Sequence, residues 1–239
     1  MENGFYLTLI GENEDIEEYR KVFGEDVILL KDNNQWLLTN DEIRLSRSSV
    51  EVMQKGMELL NIMHGIMSLE IGAPYNICIS GFIKNGDEEQ WCATEILGKL
   101  TVINPLDANR INNMKEIQHV AMVNEDVKQC LMWFSHGAPN LYDAYKIYEV
   151  IDKNCEKRGK DIKKVGYIKE TDLKKLKCNL NTPAWHEDAR HAIGKGPSPS
   201  KDKYLTKAEI DDLVKKLFNN WIRDLIIEYH APASVDNSP

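Results

Sequence analysis

Apolar residues in the first hundred positions fall into short runs that are broken by turn-forming residues. Residues 5–10 form one run, and the runs at 26–30 and 35–38 flank a polar segment at 31–34. Short runs of β-branched, aromatic and aliphatic residues between Gly, Asn and Asp are typical of strands. The pattern therefore predicts one strand followed by a hairpin. Residues 13–23, between the strand and the hairpin, predict a short helix or a loop.

The periodicity changes at Ser48, where apolar residues begin to recur at every third or fourth position. This spacing places them on one face of a helix. Ser48 and Glu51 have the spacing of a capping box, so we predict a helix of about 20 residues that ends at Gly72. Its methionines favour packing in a core over an adaptable binding groove. The residues of the apolar face are Val50, Met53, Met57, Leu60, Met63 and Met67.

A second hairpin is predicted after this helix. Residues 75–84 and 90–103 are β-prone, and the connection at 85–89 begins with Asn-Gly, which accepts the positive φ angles of a tight turn. Beyond Pro105 the composition changes to Asn, Asp and Lys with helical periodicity. We therefore predict an α+β protein whose N-terminal domain, residues 1–104, is antiparallel and β-rich and contains one long helix.

The rest of the chain is predicted to be an α-helical domain at residues 124–230, after a linker at 105–123 and before a disordered tail at 231–239. A length of 239 residues accommodates two cores. Short polar residues precede each predicted helix, as is typical of N-caps. These residues are Asn124, Asn140, Thr171 and Thr206, the last of which forms a capping box with Glu209.

Composition and charge exclude several classes of protein. The hydrophobic fraction of 42% and the charged fraction of 28% are typical of globular proteins. A net charge of −8 gives no global basic field for nucleic-acid binding, so only a local basic patch remains for that role. No apolar run is long enough to cross a bilayer, and the N-terminus lacks a secretion signal. We expect a cytoplasmic protein that binds no membrane.

Motifs for common cofactors are missing from the sequence. The five cysteines are an odd number, are widely spaced and include no Cys-x-x-Cys pair, so neither a disulfide framework nor a zinc ribbon is predicted. The sequence also lacks the phosphate loop, the dinucleotide-binding glycine motif and the nucleophile elbow. We therefore expect no cofactor.

The densest group of residues with catalytic chemistry comprises His186, Arg190 and His191. A zinc metalloprotease helix needs histidines four residues apart, whereas these two are five apart, about 140° around a helix. Without a metal, an imidazole can move a proton while a guanidinium holds a phosphate group. The structural alternative is that Arg190 and His191 tie a helix end to the following loop. A metal hydrolase that uses His186, Glu187 and His191 is the weakest interpretation.

A second candidate pair lies at the end of the last predicted helix. Arg223 and His230 are seven residues apart, nearly two helical turns, and therefore lie on the same side of the helix. That side is opposite the apolar stripe. Such a pair is typical of a solvated surface, unless a second subunit covers it. Trp133, Phe134 and His136 have rings that stack on bases, but aromatic residues at a helix end are more often part of a core.

Short motifs in the second half carry a resemblance to known proteins. In order, they lie at residues 141–149, 177–182, 188–191 and 205–209, and Trp221 follows them. This ordered set resembles a group of uncharacterised bacterial two-domain proteins, in which a β-rich N-terminal half precedes a compact helical half. The helical half is similar in kind to HEPN domains, some of which cut RNA in defence systems while others only bind.

The resemblance implies a role in bacterial defence or stress response. HEPN nucleases carry an arginine, a polar residue and, a few residues later, a histidine, usually assembled across a dimer; Arg223, Asp224 and His230 fit this spacing. Arg190 with His191 matches the Arg-His step of the bacterial group. We expect a homodimer that is a HEPN-like RNA-binding protein or a metal-independent endoribonuclease. The alternative is a non-enzymatic interaction or sensor module that docks on a partner effector protein.

Overall fold

The computed structural model describes residues 4–30, 35–72, 76–84, 87–90, 106–181 and 204–231. The chain divides into two compact units. The first comprises Met1–Gln118 and Phe134–Gly137, and the second comprises His119–Trp133 and Ala138–Pro239. The first unit contains an antiparallel sheet and helices, and the regular structure in the described residues of the second is helical. The predicted α+β class is therefore confirmed.

The sheet of the first unit contains five strands: β1 (Phe5–Ile10), β2 (Ile28–Leu30), β3 (Trp36–Leu38), β4 (Cys78–Lys84) and β5 (Asp87–Gln90). Their order is β2-β3-β1-β4-β5, and each neighbouring pair is antiparallel. Because side chains alternate between the two faces of a strand, the burial of every residue from Phe5 to Leu9 means that both faces of β1 are covered. β1 is therefore the centre of this unit's core.

Both predicted hairpins form, but the second differs from its prediction. β2 and β3 form the predicted hairpin, and Ile28 pairs opposite Leu38. β5 begins at Asp87, opposite Lys84, whereas the prediction began this strand three residues later. Acidic residues have low strand propensity, so the sequence pattern assigned them to the connection, and pairing with β4 overrides that propensity. Residues 85–86 and 91–103 lie outside the described residues.

Three helices accompany the sheet in the sequence before β4: α1 (Asn13–Phe23), α2 (Asp41–Arg44) and α3 (Ser49–Ile71). The segment predicted as helix or loop is thus a helix. The Ser48 side chain accepts a hydrogen bond from the Glu51 amide, as predicted, while the Glu51 carboxylate accepts from the Arg47 amide. The description of this unit as β-rich was too strong, because its described helices contain more residues than its described strands.

The apolar face predicted for α3 was wrong in the first half of the helix. Val50 and Met57 are 59% and 56% exposed, whereas Val52 and Gly56 are buried. A Cβ atom on Gly56 would lie 1.9 Å from Cδ1 of Leu7, so the glycine permits the helix to approach β1 closely. A periodicity that counts large apolar residues gives no weight to this glycine. The second half of the prediction is confirmed, since Met63 and Met67 are buried.

Five helices follow: α4 (Ala108–Val123), α5 (Glu125–Phe134), α6 (Leu141–Lys157), α7 (Glu170–Asn181) and α8 (Lys207–His230). α4 occupies the segment that was predicted to be a linker. Asparagine is a weak helix former, and this polar segment resembles a connection in sequence. Buried apolar side chains three and four residues apart stabilise it as a helix; they are Met114, Ile117, Val120 and Ala121.

Most of the predicted caps form. The side chains of Asn124 and Asn140 accept hydrogen bonds from the amides of Val127 and Asp143, and Thr206 with Glu209 forms a reciprocal capping box. α7 begins at Glu170, so Thr171 lies inside the helix and the prediction that it is an N-cap was wrong. No helix in the described part of the chain has the length and apolar composition needed to span a membrane.

α8 packs on α6 through its apolar face. The indole of Trp221 on α8 is fully buried and donates a hydrogen bond to Oδ1 of Asn154 on α6 over 3.0 Å. This contact fixes which side of α8 faces the core of the second unit. The buried residues of α8 are Ile210, Val214, Leu217, Phe218, Trp221, Ile222 and Leu225.

Candidate functional site

The two groups of predicted site residues lie in different parts of the chain. His186, Arg190 and His191 are outside the described residues, as is Glu187, so the roles assigned to them stay predictions. Arg223 and His230 lie on α8. The candidate site that can be built from geometry is therefore the C-terminal end of α8.

Arg223 and His230 lie on the exposed side of α8, as their position opposite the apolar stripe predicted. Both residues are exposed, and seven residues of α-helix separate them by about 10 Å along the axis. The Arg223 guanidinium donates a hydrogen bond to Oδ1 of Asn220, one turn earlier, over 3.2 Å. The His230 ring contacts Tyr229 edge to face, with 5.2 Å between ring centroids. Neither side chain is part of the core of the second unit.

Ile227 lies between these two residues on the same side of the helix. It follows Arg223 by four residues and precedes His230 by three, the spacings that bring side chains together on a helix surface. It is 65% exposed. We call Arg223, Ile227 and His230 the Arg223–His230 face. It presents a cation, an apolar side chain and an imidazole to solvent.

Asp224 follows Arg223 but binds to the α6–α7 connection. Its Oδ2 atom accepts hydrogen bonds from Arg158 over 2.8 Å, from Lys160 over 2.5 Å and from Tyr167 over 2.5 Å. Successive residues of a helix point about 100° apart, so Arg223 can face solvent while its neighbour is held by three donors.

Glu228 lies one turn after Asp224 and shares two of its partners. Its carboxylate pairs with Lys160 over 2.9 Å and with Arg158. Two cations from the connection between α6 and α7 thus bind two carboxylates on one edge of α8. We call Arg158, Lys160, Tyr167, Asp224 and Glu228 the Asp224 network. Because it fixes the rotation of the last turns of α8, it holds the Arg223–His230 face outward.

The carboxylates of this network stay charged well below neutral pH. Partial burial by itself would raise the pKa of Asp224, but hydrogen bonds from Lys160, Tyr167 and Arg158 outweigh burial and lower it to about 2. The hydrogen bond from Arg158 lowers the pKa of Glu228 in the same way. Donors to an ionised carboxylate stabilise its charged form. Both carboxylates of the network are therefore ionised at neutral pH.

A second polar layer lies beneath the network, at Asn154. The Oδ1 atom of Asn154 accepts from Trp221 over 3.0 Å and from Arg158 over 3.4 Å, and its Nδ2 atom donates to Asp126 over 2.8 Å. Asn154 is buried, and a buried amide is stable only when its donors and acceptors are paired. Asn154 thereby joins α5, α6 and α8 within the second unit.

Sequence reasoning missed the Asp224 network. Its members from the α6–α7 connection are separated from Asp224 by 57 to 66 residues, and no local spacing marks such a cluster. The only signal was Asp224 itself, as the polar residue of the Arg-polar-His pattern.

The first unit contains a buried histidine, His64, on α3. Nδ1 of His64 accepts a hydrogen bond from the Tyr19 hydroxyl over 2.5 Å, and Nε2 donates to the carbonyl of Ile77 over 3.0 Å. Burial lowers the pKa of His64 to about 4. Both ring nitrogens are paired in the neutral form, and His64 is a buried residue of the first unit.

The residues of the candidate site do not form a metal centre. Among the described residues, no group of three or more His, Cys, Asp or Glu side chains is arranged to hold a metal ion. Comparisons of the chain with models of protein families, with curated proteins and with solved structures found no match. The similarity to HEPN domains therefore stays a prediction from short motifs.

Proposed function

We propose that the protein is a HEPN-like RNA-binding protein that acts as a metal-independent endoribonuclease through the Arg223–His230 face. The observation that supports this proposal is the exposure of an arginine and a histidine on one side of α8, held outward by the Asp224 network. The assignment to bacterial defence or stress response, in the cytoplasm, rests on the HEPN resemblance.

The chemistry of the two side chains suits cleavage of a phosphodiester bond. The imidazole of His230 takes the proton from a ribose 2′-hydroxyl, or donates one to the leaving 5′-oxygen. The guanidinium of Arg223 binds two phosphate oxygens and stabilises the charge that develops on them. The 2′-oxygen forms the new bond to phosphorus as the bond to the 5′-oxygen breaks, so no cofactor is consumed.

The separation of the two side chains favours a dimer. About 10 Å of helix axis lies between Arg223 and His230, which is long for two groups that act on one phosphate. If two α8 helices pack antiparallel about a twofold axis, Arg223 of one copy lies level with His230 of the other. Such a homodimer has two composite sites, and each has one arginine and one histidine from different copies.

The test is cleavage of a labelled single-stranded RNA by the purified protein in the presence of EDTA. We expect Arg223→Ala and His230→Ala to abolish cleavage with unchanged melting temperature, while His119→Ala, which removes an exposed histidine elsewhere, leaves it unchanged. Loss of cleavage in Arg190→Ala or His191→Ala instead would move the site to those residues. RNA that stays intact with the wild-type protein would contradict the nuclease proposal.

The second candidate function is a non-enzymatic module that docks on a partner protein. The observation that favours it is Ile227, because an exposed isoleucine beside an arginine and an aromatic ring is the composition of a protein interface core. We expect Ile227→Asp to abolish capture of the partner, or to convert a dimer into a monomer in light scattering. If Ile227→Asp changes neither the capture of the partner nor the mass measured by light scattering, the docking function of this face is contradicted.

A further inference from the structure

The segment from α6 to α7 is strongly basic in an acidic protein. Residues 153–177 contain nine lysines and one arginine against four acidic residues, whereas the whole chain has a net charge of −8. A local positive field of this kind attracts polyanions even when the net charge of the protein is negative. All of these residues are described.

The loop that joins these helices is held in place by its own side chains. We call residues 158–169 the basic loop. Ile162, Tyr167 and Ile168 are buried, the Tyr167 hydroxyl donates to Asp224, and the Tyr167 carbonyl accepts from Nδ2 of Asn220 over 2.6 Å. A loop with buried anchors and paired backbone groups has a defined conformation. Its remaining side chains therefore project from a fixed backbone.

Three lysines of the basic loop project into solvent. Lys163, Lys164 and Lys169 are exposed, and the Asp161 side chain accepts from the Lys163 amide over 2.9 Å, which fixes the turn that carries the first two. Lys164 is 84% exposed and lies 3.8 Å from Asp161, and an ion pair so exposed contributes little and exchanges readily. These lysines are accessible to an anionic ligand.

Asn220 joins the basic loop to the candidate site. Its Oδ1 atom accepts from Arg223 over 3.2 Å while its Nδ2 atom donates to the carbonyl of Tyr167. One side chain thus contacts both the arginine of the Arg223–His230 face and the backbone of the loop. The backbone of the basic loop at Tyr167 is therefore one side chain away from Arg223.

We propose that Lys163, Lys164 and Lys169 bind consecutive phosphates of an RNA strand and guide it onto the Arg223–His230 face. This inference rests on the proposed function. It adds the surface that binds the RNA at phosphates other than the one that is cleaved. A lysine ammonium suits this task because it binds phosphate as a point charge, without base specificity. The protein therefore binds single-stranded RNA with little sequence preference and strong salt dependence.

The test is fluorescence anisotropy with a labelled oligouridylate over a range of KCl concentrations, in EDTA. The variant is Lys163→Gln/Lys164→Gln/Lys169→Gln. The control is Lys21→Gln/Lys55→Gln/Lys128→Gln, which removes the same charge from lysines that pair with glutamates of their own helices. We expect the slope of log affinity against log salt to shrink by about 2, with roughly 100-fold weaker binding near 0.1 M salt, in the loop variant alone.

Single substitutions keep the test valid if the triple variant folds poorly by thermal melt. Each is expected to reduce the slope by about 0.7. If the loop variant loses no more affinity relative to the wild type than the control variant does, the inference is overturned and the proposed function stands. Binding to phosphatidylserine vesicles in place of RNA would also overturn it. RNA that is bound through the lysines but never cut would support the inference and contradict the nuclease activity.

Discussion

Lowering the pH from about 7 to about 4.5 is expected to destabilise the first unit through His64. The pKa of this buried side chain is lowered from 6.5 to about 4, with burial as the first cause. The neutral ring accepts from Tyr19 and donates to Ile77, so protonation of Nδ1 removes the acceptor of the Tyr19 hydroxyl and places a charge in the core. Protonation of His64 therefore favours the unfolded state.

The sign and the size follow from these two pKa values. Because the pKa is lower in the folded state, the contribution of His64 to stability is fully present above pH 6.5 and is lost as the pH falls toward 4. One pKa unit corresponds to about 1.4 kcal/mol, so the loss reaches about 2 to 3 kcal/mol at pH 4.5. Little of it is screened by solvent, because the ring is buried.

The assay is urea unfolding at both pH values for the wild type and for His64→Gln. Glutamine keeps a donor and an acceptor but does not titrate. The carboxylates titrate in both proteins, so the difference between their losses of unfolding free energy gives the contribution of His64. We expect the wild type to lose about 2 to 3 kcal/mol more than the variant. Parallel losses in the two proteins would refute the assignment of a buried neutral histidine.

Three further predictions concern packing and the Asp224 network. Asp224→Asn is expected to lower the free energy of unfolding at neutral pH by about 2 kcal/mol, measured with urea against the exposed control Asp212→Asn; equal values would contradict the network. The wild type should lose this contribution as the pH falls from about 4 toward 2, since the folded pKa is lowered. Gly56→Ala is expected to lower the melting temperature, although alanine favours helices, because its Cβ meets Leu7; a higher value would contradict the close approach. Asn154→Leu is expected to cost about 2 kcal/mol or more, because Trp221 and Asp126 lose their partner; an unchanged melting temperature would contradict the buried polar layer.

Local signals in the sequence predicted where four of the eight described helices begin and which strands pair through short connections. An N-cap needs one side chain and an amide two or three residues later, so Asn124, Asn140 and Thr206 are recognisable from the sequence alone. The hairpin of β2 and β3 was also predictable from local sequence, because one short apolar run precedes a polar segment and another follows it. The exposure of Arg223 and His230 was predictable as well, because their angle relative to the apolar stripe is a property of one helix.

Tertiary structure decided the features whose partners are distant in sequence. α4 is a helix because its apolar side chains are buried, although its asparagines are typical of a linker. α3 packs through Gly56 on β1, whereas the periodicity of its large side chains indicated a neighbouring face. The Asp224 network and the basic loop join residues more than fifty positions apart. Periodicity and capping describe only neighbours along the chain, while burial and ion pairing depend on which elements meet, and that is a property of the folded chain.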